Sequence, residues 1–85
     1  MARAKGRAMA GGWPKEAGLP ALRALTGVAQ TTIAKRSGLD QPEVSRLERR
    51  DDHLVSTLRR YVEALGGELE IRARFGNKSV KLKGV

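Results

Sequence analysis

The chain has 85 residues, no cysteine, one histidine, and seventeen Lys and Arg against nine Asp and Glu, for a formal charge of +8. That length supports one small domain with a thin core, which gains from burial against a second copy. The missing cysteines exclude disulfides and thiolate metal sites, the single His53 leaves no metal ligand set, and the cationic excess points to a polyanion, of which nucleic acid is the commonest.

Residues 1–18 are rich in Ala, Gly, Lys and Arg without apolar periodicity, and read as a flexible basic N-terminal arm. Trp13 interrupts it, either as local packing on the first helix or as an anchor on a partner protein. Leu19, Leu22 and Leu25 share one helical face, and Gly27 can end that helix. Gln30 to Ser37 forms a second helix with Ile33 and Ala34 inward, and Gly38 supplies the left-handed turn after it. Asp40 caps a third helix, Pro42 fits its first turn, and Glu43 completes a capping box. Val44 and Leu47 are its buried side.

Asp51 to Val55 reads as a loop, and Ser56 as the cap of a fourth helix running to Leu65. Leu58, Tyr61, Val62 and Leu65 face inward, and Gly66-Gly67 stops the helix. The period then changes from helical to two. Leu69, Ile71, Ala73 and Phe75 alternate with Glu68, Glu70, Arg72 and Arg74, a half-buried strand. Gly76-Asn77 is a turn, and Ser79 to Lys83 a weaker second strand. The expected fold is mainly α: residues 19–66 form a four-helix helix-turn-helix domain, and residues 67–85 a strand or hairpin used for dimerisation through Leu69, Ile71, Ala73 and Phe75.

Two short helices around a glycine turn match helix-turn-helix geometry. Opposite Val44 and Leu47, the third helix carries Pro42, Ser45, Arg46 and Arg49 as one polar stripe, with Gln41 at its exposed start. Gln reads adenine bidentately and Arg reads guanine, and a recognition helix makes its base contacts near its N-terminus. Lys35, Arg36 and Arg50 are placed to follow phosphates, and the second helix, opened by Gln30, offers its free N–H groups to another.

The run Leu22-Arg23 through Gln30, Ile33-Ala34, Gly38-Leu39 and Val44-Ser45-Arg46-Leu47-Glu48 resembles the repressor-type (XRE-family) helix-turn-helix. The stretch from Ser56 through Tyr61-Val62-Glu63-Ala64-Leu65-Gly66-Gly67 to Ile71 is more specific, and resembles the C-terminal half of HigA-like antitoxins. The resemblance covers residues 19–75. It implies a dimer that represses its own operon at a palindromic duplex site and binds a cognate growth-inhibiting toxin, commonly a small ribonuclease. It places Gln30, Gln41, Pro42, Ser45 and Arg46 at DNA-contacting positions, and implies a buried ion pair between Arg23 and Glu48. Two departures stand out. Ala29 sits where relatives carry a capping Thr, a loss of about 1 kcal/mol, and Arg50 where they often carry Gly, which alters the exit turn. The resemblance also implies a basic toxin, so contact with it would use shape, apolar surface or local acids such as Asp51, Asp52, Glu68 and Glu70.

No enzyme reading survives, because no nucleophile, base or paired acid is set in a pocket-forming context. Gly66-Gly67 is no phosphate loop, lacking a preceding strand and a following Lys-Ser or Lys-Thr. No cofactor is expected. No apolar run approaches the roughly 20 residues of a membrane span, and the N-terminal stretch lacks a signal peptide's apolar core, so the expected location is the cytoplasm. Two other functions remain open: a stand-alone repressor with no toxin, and an RNA-binding or nucleoid-coating protein with weak sequence discrimination.

Overall fold

The computed structural model describes residues 13–85. Four helices and a hairpin follow in order: α1 (Leu19–Thr26), α2 (Gln30–Ser37), α3 (Gln41–Arg49), α4 (Val55–Ala64), β1 (Arg72–Phe75) and β2 (Lys78–Lys81). Pro20 lies in the first turn of α1, where a missing N–H costs little, and Gly27 ends the helix at φ 72°. Ala29 opens α2 with no side-chain cap, as its lack of a hydroxyl dictates, and Gly38 closes it at φ 79°.

The third helix is the most strongly specified. Asp40 accepts the Glu43 amide at 2.8 Å while Glu43 accepts the Asp40 amide at 3.0 Å, a complete capping box. At its far end Arg50 is extended (φ −93°, ψ 156°), because a residue with a Cβ avoids the left-handed turn that glycine takes there. His53 reaches back instead, its Nε2 lying 2.7 Å from the Leu47 carbonyl oxygen.

Two expectations need correction at α4. The helix begins at Val55, inside the expected loop, and its N-cap is Leu54, which offers no side-chain acceptor. Ser56 therefore sits within the first turn and does not cap it. The apolar drive of α4 sets this start: Leu58 and Val62 are half-buried and Tyr61, Ala64 and Leu65 are buried.

The core is compact and drawn from α2, α3, α4 and the α2–α3 turn. Ile33, Leu39, Val44, Leu47, Tyr61, Ala64 and Leu65 are buried together, with Leu19, Leu22, Val28 and Ala34 packed against them. Trp13, 52% exposed, shares an apolar cleft of about 180 Å³ with Leu22, Thr26, Val62, Leu65, Gly66 and Gly67. This is local packing beside α1 and the end of α4. The expected arm otherwise falls mostly on residues 1–12, which lie outside the described residues.

The C-terminal segment is an antiparallel hairpin with Arg72 opposite Lys81, Ala73 opposite Val80, Arg74 opposite Ser79 and Phe75 opposite Lys78. Gly76 makes the turn possible at φ 64°. The weak second strand thus forms, at Lys78–Lys81, and pairs within the chain. The strand expected from residue 68 is shorter, since Glu68 to Ile71 precede the ladder, although the Leu82 amide still donates to the Ile71 carbonyl at 2.8 Å. Leu69, Ile71 and Ala73 are half-buried, while Phe75 is 71% exposed and not part of the buried face of this single chain. Arg59 of α4 donates to the Val85 carbonyl, holding the tail of the hairpin against the helical body.

Candidate nucleic-acid interface

The outer stripe of α3 stands as its spacing requires. Val44 and Leu47 are buried, whereas Gln41, Pro42, Arg46 and Arg49 are exposed and Ser45 is half-buried. Nine residues of one short helix therefore present an amide and two guanidinium groups outward, anchored by the capping box at one end and two apolar side chains beneath. Arg49 donates to the Ser45 hydroxyl at 2.7 Å, which orients both along the stripe.

Beneath the stripe, Glu48 fixes how α3 sits on the rest of the domain. Its side chain is 4% exposed. Arg23 of α1 donates to it through Nε at 2.7 Å and Nη2 at 3.2 Å. Gln30 Nε2 donates at 2.8 Å, and the Tyr61 hydroxyl at 2.7 Å. One carboxylate thus ties together all four helices. Burial alone would raise the Glu48 pKa, but hydrogen bonds from Arg23, Tyr61 and Gln30 outweigh it and hold the carboxyl below its ordinary value. The bond to Glu48 raises Arg23, and burial followed by the adjacent Glu48 charge pushes the Tyr61 phenol well up.

The ion pair between Arg23 and Glu48 is therefore present and half-enclosed, with Arg23 27% exposed. Gln30 is turned inward onto Glu48. Its side-chain nitrogen is committed there, while the first backbone N–H groups of α2 have no side-chain cap. Lys35 is exposed on the last turn of α2. Arg36, which the sequence offers to the phosphates, is exposed and donates through Nη1 to the Ala64 carbonyl at 2.9 Å, closing the end of α4. Arg50 is exposed and joins Arg46, Arg60, Thr57 and Glu43 around a groove of about 240 Å³ between α3 and α4.

Sequence reasoning missed three participants. Tyr61 was read as apolar core, although a buried phenol needs a hydrogen-bond partner, and that need was the available signal. Arg60 donates through Nε to the Ser37 carbonyl at 3.0 Å and closes α2. Neither Arg60 nor the contact between His53 and the end of α3 follows from any spacing within one helix, because each depends on how two elements meet.

No family model matches the chain. Among curated proteins it is similar to two candidate antitoxins of Mycobacterium tuberculosis. It is 41% identical to HigA2 over 63 residues, covering 72% of this chain and 62% of that protein. It is 44% identical to HigA3 over 62 residues, covering 71% of this chain and 57% of that protein, so it spans less than two thirds of either relative. Among solved structures it is similar to one described as DNA-bound antitoxin HigA3, with a TM-score of 0.74 and 37% identity over 85% of this chain and 96% of that one. A second, of a HigA antitoxin described as inducing DNA bending by unique dimerization, gives a TM-score of 0.75 and 38% identity over 85% of this chain and 100% of that one.

Proposed function

The chain belongs to the HigA antitoxin family, and from that membership we propose that it is an antitoxin that binds duplex DNA as a homodimer, represses its own operon and neutralises a cognate toxin. The observation that carries the DNA reading is the division of α3. Two buried side chains and a capping box hold a helix whose whole outer stripe is Gln41, Pro42, Ser45, Arg46 and Arg49. Gln41 and Arg46 read base edges in the major groove, while Lys35, Arg49, Arg50 and the free backbone N–H groups of the first turn of α2, which Gln30 opens, position the phosphates. The family relationship supports the same reading, since the similar solved structures are of a DNA-bound antitoxin and of a HigA antitoxin that bends DNA.

The homodimer places two such helices on successive major grooves, about 34–36 Å apart, and so favours a palindromic operator. The hairpin residues Leu69, Ile71, Ala73 and Phe75 supply its apolar contact. The toxin is a basic ribonuclease met through shape, apolar surface such as that around Trp13, and the local acids Asp51, Asp52, Glu68 and Glu70. The protein acts in the cytoplasm, where its DNA is, and among the described residues no helix is long and apolar enough to cross a membrane.

Titration of the full chain against duplex from upstream of its own coding sequence, and against random duplex at the same salt, tests the DNA reading. The expected preference is about 10³-fold or more. Equal affinity for the two would make it a coating protein instead. Co-expression with the product of the neighbouring gene tests the antitoxin half: relief of growth inhibition and a co-purifying complex are expected, and absence of both would leave a stand-alone repressor.

A further inference from the structure

The hairpin has two chemically opposite faces. Its register puts Ala73 with Val80, and continues to Ile71 with Leu82, on one side. The other side pairs Arg72 with Lys81 and Arg74 with Ser79, and Lys83 follows in the same alternation. Contacts confirm that this second set shares a face: Arg72 Nε donates to the Ser79 hydroxyl at 2.9 Å, and Glu70 lies 3.4 Å from Arg72 and 3.6 Å from Lys81. Among the described residues Glu70 is the one acid in contact with these cations, Glu68 preceding it in the alternation, and all of them are exposed.

Two cations directly opposite each other in a ladder destabilise it, since their Cβ atoms stand only about 4.5–5.5 Å apart. Here Arg72 and Lys81 are such a pair, and one half-exposed carboxylate is divided between them. Arg74 has no acid opposite it, only Ser79. On the apolar side Ile71 and Ala73 are half-buried, whereas Arg72, Arg74 and Lys81 on the opposite side are exposed, so the cationic face is the one turned outward. Charge on a short exposed strand also discourages aggregation, and Lys is often used for that. That role does not require like charges to be stacked across the ladder, where they work against the hairpin's own stability.

The geometry points to the Arg72–Arg74–Lys81 face as a second nucleic-acid contact, separate from α3, that holds duplex phosphates without reading sequence. This inference rests on the chain being a DNA-binding protein. It adds that the protein's electrostatic footprint is larger than its helix-turn-helix, and that part of its affinity comes from DNA which α3 does not read. Residues i and i+2 of a strand lie on one face roughly 6.7 Å apart at 3.3–3.4 Å per residue, so Arg72 and Arg74 can engage different phosphates while Lys81 engages a third group beside Arg72.

The test is fluorescence anisotropy of the full chain on a random-sequence duplex of about three helical turns, roughly 30 base pairs, across a range of salt. Wild type is compared with the triple variant Arg72→Gln, Arg74→Gln, Lys81→Gln and with the charge-keeping pair Arg72→Lys, Arg74→Lys. Each lost phosphate contact removes about 0.9 from the slope of log K against log salt, so the triple variant loses roughly 2–3 units for each protomer bound. The charge-keeping pair retains the wild-type slope. An unchanged slope in a triple variant whose circular dichroism and sedimentation match wild type overturns the inference and leaves the cations a solubilising role or an acidic protein partner. Random duplex keeps this result independent of any operator. Arg46→Ala, measured alongside on the upstream sequence, reports separately on whether α3 reads DNA.

Discussion

The Tyr61 hydroxyl donates to Glu48 across 2.7 Å and joins α4 to the back of α3. Tyr61 is fully buried, and among the described residues the other acceptor of its hydroxyl is the Leu19 carbonyl at 3.3 Å. The orientation of the outer stripe therefore depends on a buried carboxylate. Glu48→Ala would leave Arg23 and Gln30 without their acceptor, while Tyr61 can turn to Leu19. Breaking a buried pair costs about 3–5 kcal/mol, and the low end is expected because Arg23 partly reaches water. Urea melts of both single variants and of the double variant with Arg23→Ala would measure it. A cost under about 1 kcal/mol would mark the pair as a surface contact.

The same cluster sets a pH window. Glu48 has a lowered pKa when folded, so below its ordinary value near 4.3 the unfolded chain takes up the proton first. Its contribution is complete above that value and is lost as pH falls through the lower folded one. Tyr61 is shifted up, so above pH of about 10 the unfolded phenol ionises while the folded one resists. Its contribution is complete below that value and is lost as pH rises, by at most about 1.4 kcal/mol per pH unit. Denaturation midpoints against pH should show a shallower acid limb in Glu48→Gln and a shallower alkaline limb in Tyr61→Phe. Parallel curves for Tyr61→Phe and wild type above pH 10 would contradict the assignment.

Arg36 and Arg60 exchange helix ends: Arg36 of α2 closes α4 at Ala64, and Arg60 of α4 closes α2 at Ser37. Both place a cation where helix carbonyls are unpaired and the dipole is negative. Arg60→Ala should cost about 0.5–1.5 kcal/mol. Gly38→Ala should cost about 1–2 kcal/mol, since Gly38 has φ 79°. Its new Cβ would also meet Arg60 Nη2 at 3.0 Å, a crowding the flexible end of the guanidinium can relieve. Thermal melts of the two singles and the double decide it. If Gly38→Ala were neutral, the left-handed turn would not be specifying the α2–α3 angle.

Much of this was legible in the sequence because the decisive signals were local. Gly38, Asp40 and Glu43 fix a turn and a helix start within six residues, and Val44 and Leu47 fix which side of α3 is buried. The end of α3 and the start of α4 were less legible. Leu54 caps α4 without a capping side chain, so packing of Tyr61 and Ala64 overrode the signal from Ser56. The charge of Arg36 is visible in the sequence, whereas its bond to the Ala64 carbonyl 28 positions away is not. Phe75 kept the period of a buried strand but stands exposed, as one chain alone offers nothing to cover it.

Base reading is tested by contrasting Arg46 with Lys35. Both are exposed, but Arg46 lies on the outer stripe of α3 and Lys35 on the last turn of α2. Arg46→Ala should cost about 1–3 kcal/mol on the operator and relax preference at one base pair. Lys35→Ala should weaken all duplexes alike and flatten the salt slope by about one unit. Binding of each variant to the operator, to single-base variants of it and to random duplex separates the two. Equal loss on operator and random duplex for Arg46→Ala would move that residue from the bases to the backbone.

Oligomeric state tests the dimer contact proposed for the hairpin. Among the described residues β1 has β2 as its one strand neighbour, so its other edge carries unpaired backbone groups. A two-stranded hairpin is marginal by itself, and this one exposes Phe75, Val80 and Leu82 at 71%, 56% and 40%. Antiparallel pairing of β1 with its copy would satisfy that edge, continue the Ile71–Ala73–Phe75 face across both chains and create the two-fold axis that two successive major grooves require. Ile71 is the sensitive position. It is half-buried beside the ladder, and its carbonyl accepts from Leu82 through backbone alone, so replacing its side chain leaves the hairpin bonded. Ile71→Asp should therefore keep the helical circular dichroism of wild type while sedimenting as a monomer, with operator affinity lowered far more than random-duplex affinity. Wild type sedimenting as a monomer at tens of micromolar would defeat the idea. So would a dimeric Ile71→Asp, which would place the two-fold elsewhere on the molecule.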